Sequence, residues 1–145
     1  MRNREIAEIY ANSDNEARTQ NLFIEGLSIY SYGHHFKIAH KEHNNTALFN
    51  IRGYSNTTGK HKSYTLNALN NAGFNIVFIK NAEATQDNIK AQLNANNNEV
   101  RTLLNRNTRN ERTTETKNSR INFLKEQNKA LISLAVDKGY IIEAL

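Results

Sequence analysis

All five histidines of the chain lie between His34 and His61, in a stretch that is also dense in hydroxyls and lysines. It runs Tyr30-Ser31-Tyr32-Gly33-His34-His35-Phe36-Lys37-Ile38-Ala39 and resumes as Tyr54-Ser55-Asn56-Thr57-Thr58-Gly59-Lys60-His61-Lys62-Ser63-Tyr64. Imidazoles titrating near neutrality shuttle protons, and two of them flanking a phosphodiester can act as acid and base without a metal. His35 and His61 are the pair that would serve such a nuclease. The competing reading makes His61 a hydrogen-bonded anchor that fixes a helix. Adjacent His34 and His35 on a strand would point to opposite faces. No His/Asp/Glu triplet has familiar ligand spacing, so neither a metal nor a cofactor is expected.

The second half of the same stretch suggests phosphate. A strand followed by Ser-x-Thr-Thr and a helix start gathers hydroxyls and free amides at a positive helix terminus, where anions are favoured. Gly59 permits close approach, and Lys60 and Lys62 add charge. A polar pocket lined by Tyr32, His35, Ser55, Thr57, Thr58, Lys60 and His61 is one reading. Plain helix capping by Ser55 and Thr57 is the other. The Gly-x-x-x-x-Gly-Lys spacing of a Walker loop is absent.

Further on, Arg106, Arg109, Arg112 and Arg120 cluster with Arg101 and Lys117, offset within residues 105–120 only by Glu111 and Glu115. Such a cluster can meet the phosphates of a nucleic acid, or it can be a solvated loop. Tyr30, Tyr32 and Tyr54 could stack on bases, although aromatic residues of small sheets more often fill a core.

The elements that must position these groups follow from periodicity. Ile6, Ile9 and Tyr10 predict a helix over 4–11. Residues 22–24 and 27–32 read as strands around a Glu25-Gly26 turn, the second alternating Leu27, Ile29, Ser31 against Ser28, Tyr30, Tyr32. His35–Ala39 and Thr46–Arg52 complete an antiparallel meander. A helix capped by Thr57 or Thr58 and stopped by Gly73 presents His61, Thr65, Ala68, Leu69 and Ala72 on one face. Phe74–Ile79 is the strongest strand signal. Residues 83–108 and 118–138 carry helical apolar spacing, with Ile121, Leu124, Asn128 and Leu131 forming a heptad-like seam. The apolar-free run 105–119 would be an exposed hairpin tip; a single long helix driving a homodimer is the alternative. The tail from Tyr140 to Ile142 is apolar and reads as a last strand or a docking segment. The fold class is therefore α+β: a small antiparallel sheet with one packed helix over residues 1–80, then a C-terminal helical hairpin over 81–145. Residues 27–79 are expected to fold as a unit without the C-terminal helices.

Composition constrains partners. The net charge is +5 and the pI about 9.5, which favours an anionic partner. Cysteine is absent, so thiolate chemistry and disulfides are excluded. No apolar run approaches the roughly 20 residues of a membrane span, and the N-terminus lacks a signal-peptide pattern; a cytoplasmic protein without a membrane partner is expected. Asparagine occurs 24 times, interleaved with charges rather than in a tract, a bias that suits an AT-rich coding sequence.

The stretch Tyr32–Ala39, Asn50, Tyr54–Thr58 and His61–Tyr64 resembles a family of small uncharacterised proteins of bacteriophages and other mobile elements. These pair Tyr-Gly-x-His-Phe-x-x-Ala with Tyr-Ser-x-Thr-Thr-x-x-His. The resemblance spans about residues 27–79 and implies a viral or mobile-element origin without implying an activity. With the charge, it leads to a phage-type accessory protein that binds a host or viral macromolecule, nucleic acid first. A protein-binding inhibitor of a host defence enzyme (an anti-CRISPR, for example) or of a transcription enzyme comes second. The metal-independent nuclease comes third. Expected partners are nucleic acid, a host protein or a ribonucleoprotein, with a homodimer through the C-terminal helices.

Overall fold

The apolar spacing of Ile6, Ala7, Tyr10 and Ala11 puts one face of α1 (Asn3–Asn12) fully into the core. The structure is a computed structural model that describes residues 1–142 except Tyr54, Thr108 and Arg109. It divides into two compact units, Met1–Glu83 and Ala84–Leu145.

In the first unit, β1 (Leu22–Glu25) and β2 (Ser28–Ser31) form the expected hairpin, with Gly26 at φ 60° in the turn. β3 (Lys37–Lys41) starts two residues later than the sequence predicts. Tyr32 (φ 58°) and Gly33 (φ 96°) both take left-handed backbone, so 32–36 is a bulging connection rather than strand. The β2–β3 register also shifts between Ile29 and Tyr30. β4 (Thr46–Asn50) ends before Ile51, which is exposed.

α2 (Asn56–Asn71) is capped by Ser55, whose hydroxyl accepts from the Thr58 amide at 3.1 Å, rather than by Thr57 or Thr58. Gly73, at φ 86°, stops it. β5 (Asn75–Ile79) then pairs with β4 in parallel. The sheet is thus mixed, in the order β1-β2-β3-β4-β5, not the purely antiparallel sheet expected. The reason is the length of the β4-to-β5 connection: a crossover helix returns the chain to the same end of the sheet, whereas a tight turn would reverse it.

The core lies between the sheet and the pair α1 and α2, and gathers Ile6, Tyr10, Leu22, Ile29, Ile38, Phe49 and Leu69. α1 and β1 supply part of this core, so residues 27–79 do not contain all of it. Lys41 fastens the end of α1. Its Nζ donates to the carbonyls of Tyr10 (2.8 Å) and Ser13 (2.9 Å), and burial pulls its pKa down. The Tyr10 hydroxyl donates to the Leu27 carbonyl at 2.7 Å, and burial pushes its pKa up. Asn50 is buried at the end of β4 and ties three segments together. Its amide nitrogen donates to the Lys37 carbonyl, and its oxygen accepts from the Arg52 and Asn81 amides.

The second unit is a helical hairpin of α3 (Gln86–Leu104) and α4 (Glu111–Asp137), capped by Thr85 and Asn110. Val100 and Leu103 pack with Ile121 and Leu124, so α3 covers the seam that would otherwise drive a dimer. Two asparagine contacts cross it: Asn96 donates to Asn128 at 3.0 Å and Asn128 to Asn97 at 3.0 Å. The polar tip is much shorter than the expected 105–119, because residues 111–119 are helical. After Gly139, the Tyr140 amide donates to the Ala135 carbonyl and closes α4; among the described residues of the tail, 140–142, no strand forms. Among the described residues no helix is long and apolar enough to cross a membrane.

Candidate functional site

The alternation of β2 turns Ser31 to the same side as Ile29, where a hydroxyl must find a partner. Helical spacing on α2 turns Thr58, His61 and Thr65 inward. Ser31 and His61 are each 1% exposed. His61 Nδ1 lies 2.7 Å from Ser31 Oγ, and Nε2 lies 3.1 Å from the Asn3 amide nitrogen on α1. Thr19 donates to the Asn3 oxygen at 2.6 Å. Ser31 also meets Thr58 Oγ1 at 3.1 Å, and Ser55 donates to that same oxygen at 3.1 Å. Six side chains therefore form one continuous hydrogen-bonded thread from the loop before β1, through α1, α2 and β2, to the α2 cap.

The Asn3 amide fixes the imidazole. An NH2 group only donates, so Nε2 accepts and the ring proton sits on Nδ1, pointing at Ser31. Burial pulls its pKa down, which favours the neutral ring, and no anionic group among the described residues offsets the desolvation. Ser, His and Asn in sequence invite comparison with a nucleophilic triad. Here, however, Ser31 Oγ accepts from the imidazole rather than giving up its proton, and both side chains are shut away from solvent. The arrangement is a tether that joins helices to sheet. Of the two histidines expected to pair in a nuclease, His61 has both ring nitrogens engaged by Asn3 and Ser31, and His35 is exposed in the 32–36 bulge.

Of the expected pocket, the structure joins Ser55, Thr58 and His61 by hydrogen bonds. The Tyr32 ring lies over His61 with centroids 5.7 Å apart. Thr57, Lys60 and His35 stay exposed and outside the thread. Tyr54 lies outside the described residues. Lys62 turns away to donate to the Arg52 carbonyl at 2.8 Å. Two of the other histidines have unrelated roles: His34 meets Glu25 at 2.7 Å and His40 meets Ser28 at 2.8 Å. Among the described residues no three His, Asp or Glu side chains are grouped for a metal.

Sequence reasoning missed Asn3 and Thr19. Their partners lie 58 and 16 residues away, and nothing in local spacing marks them. Ser31 left one signal, a polar residue on the inward register of an apolar strand.

The hairpin end holds the second arrangement. Arg106, Arg112, Lys117 and Arg120 line one concavity of about 430 Å³ with Thr113 and Thr116. Arg109 lies outside the described residues. Arg120 is already engaged: it holds Glu99 through two hydrogen bonds of 2.6 and 3.1 Å, which raise its pKa and lower that of Glu99. Arg106 and Arg112 make no ion pair among the described residues, and Lys117 reaches only the Arg106 carbonyl at 3.5 Å. Helical spacing explains the convergence, because Arg112, Thr116 and Arg120 recur every four residues on α4.

Among known proteins, no family model matches this chain, and neither the curated proteins nor the solved structures contain a match.

Proposed function

We propose that this protein binds nucleic acid through the end of its C-terminal hairpin, as an accessory protein of the mobile-element kind that its sequence resembles. The observation that carries the reading is the convergence of Arg106, Arg112 and Lys117, all without a carboxylate partner among the described residues, on one concavity. Closely spaced cations of this kind displace condensed counterions from a phosphate backbone, which makes binding salt-dependent and largely indifferent to sequence. Arg120 contributes less, because it must first leave Glu99.

The test is fluorescence anisotropy on duplex DNA over a salt series. Changing Arg106, Arg112 and Lys117 together to Ala removes up to three phosphate contacts. The slope of log affinity against log salt then flattens by up to about 2.7, at about 0.9 per contact. Arg120→Ala changes it by less than one contact. A triple variant that binds like the parent overturns the hairpin site. A parent that binds no nucleic acid even at low salt overturns the reading and moves a protein-binding inhibitor to first place.

A further inference from the structure

The Met1–Glu83 unit carries a second basic concavity, unrelated to the hairpin. It has a volume of about 500 Å³ and lies where the start of α1 faces the segment leading into β1, with Arg2, Asn3, Arg4, Thr19, Asn21 and Tyr64 among its walls. We propose that it is a binding site for a phosphate group.

Charge comes first. Neither Arg2 nor Arg4 forms an ion pair among the described residues. No carboxylate lines the cavity. Glu5, their neighbour in sequence, turns back to accept from the Arg2 backbone amide at 3.4 Å. Three other cations of this unit are engaged: Lys41 and Lys62 end on backbone carbonyls, and Arg52 donates to Asn81. Arg4 is laid against Tyr64, 5.3 Å from the ring centroid, which steadies its guanidinium. Two guanidinium forks in one cavity match the planar, bidentate recognition that phosphate oxygens favour.

Rigidity comes second. Asn3 and Thr19 are bonded to each other at 2.6 Å, and Asn3 is held from behind by buried His61. The wall is therefore set before a ligand arrives, and little ordering cost remains. The volume lies within the usual range for ligand pockets, about 300–1,000 Å³, and leaves room for the group that bears the phosphate. That group belongs to a free nucleotide or to a nucleic-acid strand. The site does not depend on the hairpin reading.

The experiment is an amide NMR titration of the full chain at constant ionic strength. The probes are inorganic phosphate, adenosine monophosphate, and a short oligonucleotide without a terminal phosphate, each against a chloride reference. The expected result is saturable shifts at residues 2–4 and 19–21 that chloride does not reproduce. The double change Arg2→Gln with Arg4→Gln should weaken them at least tenfold, while Ala at 106, 112 and 117 leaves them unchanged. Tighter binding of the monophosphate assigns the site to a nucleotide, and tighter binding of the oligonucleotide assigns it to a strand; either supports the phosphate site. A paired Arg2→Lys and Arg4→Lys variant, which keeps charge but loses the forks, should also bind more weakly and covers the case in which the Gln variant does not fold. The proposal is overturned by shifts that chloride matches, by no saturation with any probe, or by undiminished binding in the double variants.

Discussion

Acidifying this protein should destabilise its first unit through one side chain, His61. In the native state the ring is 1% exposed, with Nε2 accepting from Asn3 and Nδ1 donating to Ser31, and burial holds its pKa below the ordinary value. In the unfolded chain it titrates near 6.5. Between the two, the unfolded state binds the extra proton. Stability is therefore complete above about pH 6.5 and falls as pH drops below it. For one proton, with the native ring still neutral, the loss between pH 6.5 and 5.5 is up to about 1 kcal/mol. For a unit of this size that lowers the melting temperature by roughly 4–8 °C. His61→Gln removes the titrating group and keeps a polar side chain of similar reach. The variant starts less stable, but its melting temperature should fall less steeply over that interval than the parent's. Near-UV circular dichroism reports the right unit, because five of the six tyrosines precede residue 84. The other four histidines are common to both proteins and cancel. Parallel pH profiles for parent and variant would refute the argument, showing that His61 is as free to protonate in the fold as outside it.

Two further outcomes follow from the packing. Lys41→Met keeps the apolar stem but strips the donor from the Tyr10 and Ser13 carbonyls, and should cost about 1–3 kcal/mol; an unchanged urea midpoint would show that water replaces the ammonium. A fragment of residues 1–83 should give a dispersed amide spectrum, whereas 27–83, without the core residues Ile6, Tyr10 and Leu22, should not; a folded shorter fragment would show that α1 only decorates the sheet.

What could be read from the sequence was local. The period-two pattern at Ile29 and Ser31, the Ser55 neighbourhood with Gly73 as a stop, and the run Phe74–Ile79 each announce an element through side chains a few residues apart. The misses are non-local. The start of β3 depends on left-handed backbone at Tyr32, which no tyrosine advertises. The helical first turns of α4 look like loop, because their polarity is that of a solvated face and their order comes from the Asn110 cap and the neighbouring helix. The parallel pairing of β5 was within reach, since 24 residues containing a helix separate β4 from β5. The histidine cluster drew attention to the right helix but not to Asn3 and Thr19, which complete the hydrogen-bonded thread around His61. Burial and the identity of the hydrogen-bond partners, both set by tertiary contact, decide whether an imidazole moves protons or holds a wall in place.

The order of strands in the sheet is also their order in the chain. As the polypeptide leaves the ribosome, every new strand finds its neighbour already synthesised and waiting at the growing edge, so the sheet can be laid down strand by strand during translation. Closure waits for one event. The helix made first, α1, has its apolar face and Asn3 ready early, but α2 and His61 emerge some fifty residues later. Until then Ile6 and Tyr10 have no helix to pack beside, and the nascent chain carries an uncovered sheet face. Synthesis that stalls between β4 and α2 would expose that face for as long as the pause lasts, so slow codons there would be felt as aggregation rather than as a loss of the finished fold.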